Sequence, residues 1–180
     1  MFQTLSKLYQ RFSVLIHFYL LLGYLVLMQF FVLHWKVTEK YLATTLPEWI
    51  AFFCAKFLSV IGYQSIASGT LVSIEDRFRF TIVYHCTGVL GMIIFVSAVV
   101  AFPATIREKL VGVAIGIPVL NVVNILRVSL LGVVGLYSHE VFEFCHHFLL
   151  QGVFIAFVIA TWLVWRVKFV RSESSTLVPH

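Results

Sequence analysis

The sequence has few charged residues: only 12% of its 180 residues are Asp, Glu, Lys or Arg, whereas 61% are hydrophobic. A soluble domain of this length needs far more polar surface, so the composition excludes one. Several stretches exceed the roughly 18 apolar residues that cross a bilayer. The chain is therefore predicted to be an all-α integral membrane protein, one membrane domain over residues 1–171 built as a helical bundle of about four to five transmembrane helices.

Cysteine is also scarce. Cys54, Cys86 and Cys145 are an odd set without close spacing or a CxxC pair, which predicts neither a disulfide framework nor a structural zinc site. A soft-metal site can be drawn from the cysteines and histidines of the second half, but the spacing matches no metal motif; these residues are His85, Cys86, His139, Cys145, His146 and His147. We therefore expect no metal and no cofactor.

The basic balance of +5 does not indicate nucleic-acid binding. Most of the basic residues flank hydrophobic stretches, where they set orientation and meet anionic lipid. The expected surroundings are thus membrane lipid, and no nucleic-acid partner is predicted.

Hydropathy predicts spans at 13–33, 87–102, 110–137 and 141–167. The segment 47–63 is shorter and has Lys56 in its middle, so it is either a further span or an amphipathic or re-entrant helix. Basic residues favour the cytoplasm, and the main basic groups share one side only if 47–63 does not cross. This predicts both termini inside, with 172–180 as a flexible cytoplasmic tail.

Residues 69–84 have a different pattern. Arg77 to Ile82 alternates between polar and apolar residues, which predicts a short β-hairpin with its turn at Glu75 and Asp76. Because open strands cannot lie in hydrocarbon, the hairpin is expected at the outer face. It ends almost directly at Cys86.

Three chemically capable residues are predicted at one depth. Cys86 opens the span 87–102 near the outer surface. At a rise of about 1.5 Å per residue, Arg127 lies about 27 Å from Lys109, near the outer boundary of a core about 30 Å thick. His147 lies about 9 Å into the last span by the same rise.

A thiol, an imidazole and a guanidinium are sufficient for acyl transfer. The imidazole takes the thiol proton, and the guanidinium stabilises the oxyanion that follows attack on a carbonyl. Asn124 lies on the same helix face as Arg127 and could orient it or the substrate. Each residue also has a structural interpretation: a cysteine is often an apolar filler, and Arg127 could extend to the lipid headgroups.

Together these residues resemble the exosortase/archaeosortase family, and the length resembles its compact members, of the exosortase H type. The resemblance rests on Cys86-Thr87-Gly88, on Asn124-Ile125-Leu126-Arg127, and on His147 near the start of the last span, in that order. The neighbouring His146 leaves the choice of base between two histidines open.

The resemblance implies a cysteine transpeptidase or protease that cleaves the C-terminal sorting signals of exported proteins. Its substrates would carry a short motif, a transmembrane helix and a basic tail. Cys86 would be the nucleophile, Arg127 would stabilise the intermediate, and His147 would be the base and acid, supported by Asn124, Thr87, Gly88 and His146. The enzyme would lie in the bacterial inner membrane with its site facing the exterior.

Two other functions fit the composition. A non-enzymatic assembly or scaffold subunit would not need Cys86, Arg127 or His147 individually. A small transporter could line its path with Arg127, although the inner halves of the predicted spans have few polar residues.

Overall fold

The computed structural model describes residue 16 and the ranges 19–31, 36–146 and 150–170. His147 and the predicted tail 172–180 lie outside the described residues. The described part is mostly helical and contains one small sheet. Its elements in chain order are α1 (Tyr19–Phe31), α2 (Lys36–Val60), β1 (Ser65–Ser68), β2 (Leu71–Ile74), β3 (Phe78–Thr81), a 3₁₀ turn (Tyr84–Thr87), α3 (Val89–Ala101), α4 (Ile106–Tyr137), α5 (His139–Phe144) and α6 (Leu150–Phe169).

Two of the described helices are long and apolar enough to cross a membrane: α4, and α6 over Gly152–Phe169. Helices α1 and α3 are apolar but shorter. The 13 residues of α3 rise about 20 Å, less than the thickness of a hydrocarbon core. The number of crossings therefore stays a prediction.

Helix α4 begins at Ile106, before the predicted start at residue 110. The reason is a capping box: the Thr105 hydroxyl accepts from the main-chain N–H of Glu108, and the Glu108 carboxylate accepts from the main-chain N–H of Thr105. Arg107 and Lys109 consequently lie in the first turn of the helix.

Helix α2 covers Lys36–Val60, so it begins well before Pro47, where the predicted segment 47–63 started. Proline usually marks a helix start because it lacks the N–H of the helical ladder. Here it lies inside the helix. Tertiary packing outweighs the local signal, since the following turns bury Ile50, Cys54 and Leu58 against the sheet and α4.

The sheet has three antiparallel strands in the order β1-β2-β3. Strands β2 and β3 are joined by a turn in which Glu75 and Asp76 both have positive φ, 52° and 51°. The predicted strand pair therefore lies within a larger sheet. Strand β1 gave no alternating signal in the sequence because its one large apolar residue, Ile66, is exposed, whereas the covered side of the strand carries Ser65 and Ala67.

Helix α4 contacts α2, α3 and α6, and it lies between the two main clusters of buried side chains. One cluster joins α2, the sheet, Cys86 and Val128. The other joins α3, α4 and α6 around Phe95 and Leu120. Glycines on α4 admit aromatic rings, as at Gly116, where an added Cβ would collide with the ring of Phe95. Cys86 belongs to the first cluster, and Gly88, two residues later, lies beside Phe154 of the second.

Candidate active site

The candidate nucleophile lies in the 3₁₀ turn between the sheet and α3. The Cys86 main-chain N–H donates to the Val83 carbonyl at 2.8 Å. The Thr87 hydroxyl donates to the Tyr84 carbonyl at 2.7 Å. These bonds hold the turn on itself, and Cys86 is only 6% exposed.

Gly88 ends this turn in a conformation that other residues avoid. Its φ is 74°, and a Cβ added there would lie 2.9 Å from Asn124 Cγ and 3.0 Å from Phe154 Cζ. The position therefore requires glycine twice, for its backbone angle and for the close approach of α4. This contact brings the turn that carries Cys86 against Asn124.

Asn124 connects the turn to the arginine. Its Nδ2 donates to the Cys86 carbonyl at 3.1 Å, and its Oδ1 accepts from Arg127 Nη1 at 3.4 Å. Asn124 is fully buried. The Asn124 amide thus donates to the turn that carries Cys86 and accepts from the guanidinium of Arg127.

Arg127 is 9% exposed, and its guanidinium lies 5.5 Å from the centre of the Phe154 ring. Its Nε–H is buried and has no hydrogen-bond partner among the described residues. No described carboxylate forms a salt bridge with it. A buried cation with an unused donor is costly unless an anionic or strongly polar group joins it. This arrangement suits a developing oxyanion.

The imidazole that lies beside Cys86 is His146. Its Nε2 is 3.3 Å from Cys86 Sγ. The His146 ring stacks on Phe142 with a centroid distance of 5.9 Å and an interplanar angle of 4°, which fixes its plane. His147, the predicted base, lies outside the described residues.

Two opposing effects set the proton affinity of the thiol. Burial raises the pKa of Cys86, whereas the positive charge of Arg127 and a backbone hydrogen bond with Val83 lower it. Burial is the largest cause, so the pKa is raised overall. A thiol that stays protonated needs a base to become a nucleophile.

The other two cysteines are packed residues. Cys54 is fully buried on α2 and accepts from the Ser129 hydroxyl at 3.2 Å. Cys145 packs with Leu131. In the part of the chain that the structure describes, no three His, Cys, Asp or Glu residues converge as metal ligands.

The structure thus brings Cys86, Thr87, Gly88, Asn124 and Arg127 together, with His146 at the thiol. Sequence reasoning missed the ring of Phe154 beneath the guanidinium and the ring of Phe142 behind His146. Neither has a signal in the sequence, because each is one phenylalanine among 18.

A family model for the transmembrane exosortases matches residues 8–166, which is most of the chain and includes every residue of the site. Comparison with curated proteins finds no match, and neither does comparison with solved structures. Because the match extends from before α1 almost to the end of α6, the chain belongs to the transmembrane exosortase family.

Proposed function

We propose that this protein is a membrane-embedded cysteine transpeptidase or protease that cleaves exported proteins at a C-terminal sorting signal. The observation that carries the proposal is the 3.3 Å contact between Cys86 Sγ and His146 Nε2, beside a buried arginine without a counterion among the described residues. Family membership supports the same reaction class.

His146 takes the thiol proton as Cys86 Sγ attacks the substrate carbonyl. The carbon–sulfur bond forms, and the carbonyl electron pair moves onto oxygen. The resulting tetrahedral intermediate collapses, the C–N bond breaks, and the imidazolium returns its proton to the leaving amine. A thioester on Cys86 remains. An amine or water then attacks it, with His146 again accepting a proton, and the thiol is released.

Arg127 stabilises the oxyanion. Its guanidinium is always charged and is already oriented by Asn124 and Phe154, so little reorganisation accompanies the reaction. The buried surroundings strengthen this interaction relative to water.

The substrate class follows from the location of the site. A thiol at the end of a small sheet, directly before an apolar helix, is suited to a peptide bond just outside the bilayer. We therefore infer substrates with a short motif followed by a transmembrane helix and a basic tail, and a site facing the exterior of the bacterial inner membrane. His147 is retained as an alternative base, to be separated from His146 by mutation.

The deciding experiment compares Cys86→Ala and Cys86→Ser with Cys54→Ala and Cys145→Ala in the source cells. Exported proteins with such a tail should accumulate unprocessed in both Cys86 variants, at unchanged membrane levels of the enzyme. The other two variants should still process them. Normal processing by Cys86→Ala would end the assignment and favour a scaffold subunit.

A further inference from the structure

The two outer edges of the three-stranded sheet differ. At the β1 edge, the Ser59 hydroxyl donates to the Ser65 carbonyl at 3.4 Å, and the Ser65 hydroxyl donates to the Ala55 carbonyl at 2.7 Å. Helix α2 thus covers this edge. On the other side of the sheet, no described strand pairs with β3.

The hydrogen-bond register shows which groups the β3 edge presents. Ile82 donates its main-chain N–H to the Thr70 carbonyl at 2.9 Å. Because paired residues alternate along an antiparallel ladder, Phe80 and Phe78 also bond to β2, and the main-chain groups of Arg79 and Thr81 point away from it. Both of these residues are exposed. Within the described residues, two N–H and two C=O groups are therefore available for a further strand.

This edge leads into the site. After Thr81 the chain passes through Ile82 and Val83 and enters the turn that holds Cys86. The inner face of β3 is fixed, since Phe80 is buried against Gly132 of α4 and its ring lies 6.5 Å from that of Phe142. A rigid edge that ends beside the nucleophile can position a polypeptide relative to the thiol.

We propose that the edge of β3 binds, through main-chain hydrogen bonds, the extended segment of the substrate that lies N-terminal to the bond attacked by Cys86. This inference rests on the proposed function. β-Strand addition reads the backbone, so it suits an enzyme that must hold a flexible segment in one register. The short strand and the charge of Arg79 limit uncontrolled pairing between copies.

The direction of the added strand follows from the topology. Both β3 and the substrate segment approach the membrane as they run toward Cys86, so they pair in parallel. Thr81 is about 13 Å of chain from Cys86, from about 3.3 Å per extended residue and about 2.0 Å per 3₁₀ residue. It therefore meets the substrate about four residues before the cleaved bond.

Thr81→Pro tests the edge directly, because it removes an outward N–H without removing a bond to β2. Thr81→Val is the matched control, since it keeps the N–H and the shape. The substrate is the exported protein whose processed form disappears in Cys86→Ala cells. Its processing should be about five- to tenfold slower in Thr81→Pro than in Thr81→Val, as expected for one lost main-chain hydrogen bond. The rate at which iodoacetamide alkylates Cys86 should be equal in wild type, Thr81→Pro and Thr81→Val.

A second measurement leaves the enzyme intact. Proline is placed in turn at each of about six substrate positions before the cleaved bond. These positions cover the stretch opposite Thr81 and Arg79, at about 3.3 Å per extended residue. In a parallel pairing only every second residue faces β3, so processing should fall at alternating positions. Uniform tolerance to proline, or a fall that does not alternate, would overturn the proposal.

The outcomes separate the two proposals. If no processed protein disappears in Cys86→Ala, the proposed function fails and this inference with it. If one disappears but Thr81→Pro processes it normally and the proline scan does not alternate, only the edge is wrong. A loss of dimers in Thr81→Pro with normal processing would assign the edge to a second copy of this chain instead.

Discussion

Asn124 on α4 donates to the main-chain carbonyl of Cys86 at 3.1 Å, so a residue in the middle of a long helix fixes the turn that carries the thiol. The same amide accepts from Arg127. Since Asn124 is fully buried, water does not compete for either bond. A single side chain therefore bonds both to the turn that carries Cys86 and to the guanidinium of Arg127.

Replacing this amide should reduce activity without removing any reacting group. In Asn124→Ala the buried Cys86 carbonyl loses its donor, at a cost of about 1–3 kcal/mol. Asn124→Asp keeps the shape and the acceptor for Arg127 but loses the donor, so it should also impair processing. The measurements are the processing rate and the midpoint of thermal unfolding in detergent.

Asn121→Ala is the control, since Asn121 lies on the same helix but bonds to Ile117 and Met92. It should leave processing close to wild type. Equal rates in Asn124→Asp and wild type would show that the bond to Cys86 does not position the nucleophile.

Gly88→Ala should be severely impaired. The positive φ alone costs about 1–2 kcal/mol for a residue with a Cβ. The Cβ would in addition press on Asn124 at 2.9 Å. Gly152→Ala on α6 is the matched control, because an added Cβ there meets nothing within 4 Å. Processing and protein level should both fall in Gly88→Ala and stay at the wild-type level in Gly152→Ala. An active, stable Gly88→Ala would contradict the positive φ of Gly88 and its close approach to Asn124.

The order and spacing of chemical residues in the sequence grouped Cys86, Asn124 and Arg127 as one candidate site, and the structure places these three residues together. Counting residues along apolar helices predicts how far each residue lies along its helix, because the helical rise is nearly constant. The position of a residue along a helix does not tell which way its side chain points around the helix axis. The contact between Cys86 and His146, rather than a neighbouring residue, depends on that direction and could not be derived from the sequence.

The ends of helices and strands could be predicted where the residues at that point of the sequence determine them. The positive-φ turn at Glu75 and Asp76 lies where alternating residues predicted it, because the pattern changes there. The start of α2 could not be derived, because burial of Ile50 and Leu58 against a sheet formed later in the chain stabilises a helix that contains Pro47. Strand β1 likewise depends on α2 to cover it.

The two histidines give a direct test of the base. His146→Ala should lower processing by about 10²- to 10⁴-fold, the usual contribution of a general base. His147→Ala should remain near wild type. Both variants should reach the membrane at normal levels, as checked by immunoblotting. If instead only His147→Ala lost activity, the base would be His147, and the contact between His146 and Cys86 would be structural.

The pH dependence of Cys86 reports the balance between burial and the charge of Arg127. Burial holds the pKa of the thiol above its ordinary value, so little thiolate is present at pH 7. The alkylation rate of Cys86 in a Cys54→Ala, Cys145→Ala background should therefore rise about tenfold per pH unit through neutrality, since only the thiolate reacts. It should level off only above the ordinary thiol range, about 8.5.

Arg127→Gln removes the charge that lowers this pKa, so its profile should move to higher pH, while Arg127→Lys, which keeps a positive charge, should lie closer to wild type. Processing should fall in both, because neither side chain offers the fixed fork of donors that the oxyanion requires. An unmoved profile in Arg127→Gln would mean that the guanidinium does not act on the thiol. A wild-type profile that levels off below pH 7 would replace the neutral thiol by a preformed thiolate–imidazolium pair, and His146 would then act as the acid alone in the step that forms the thioester.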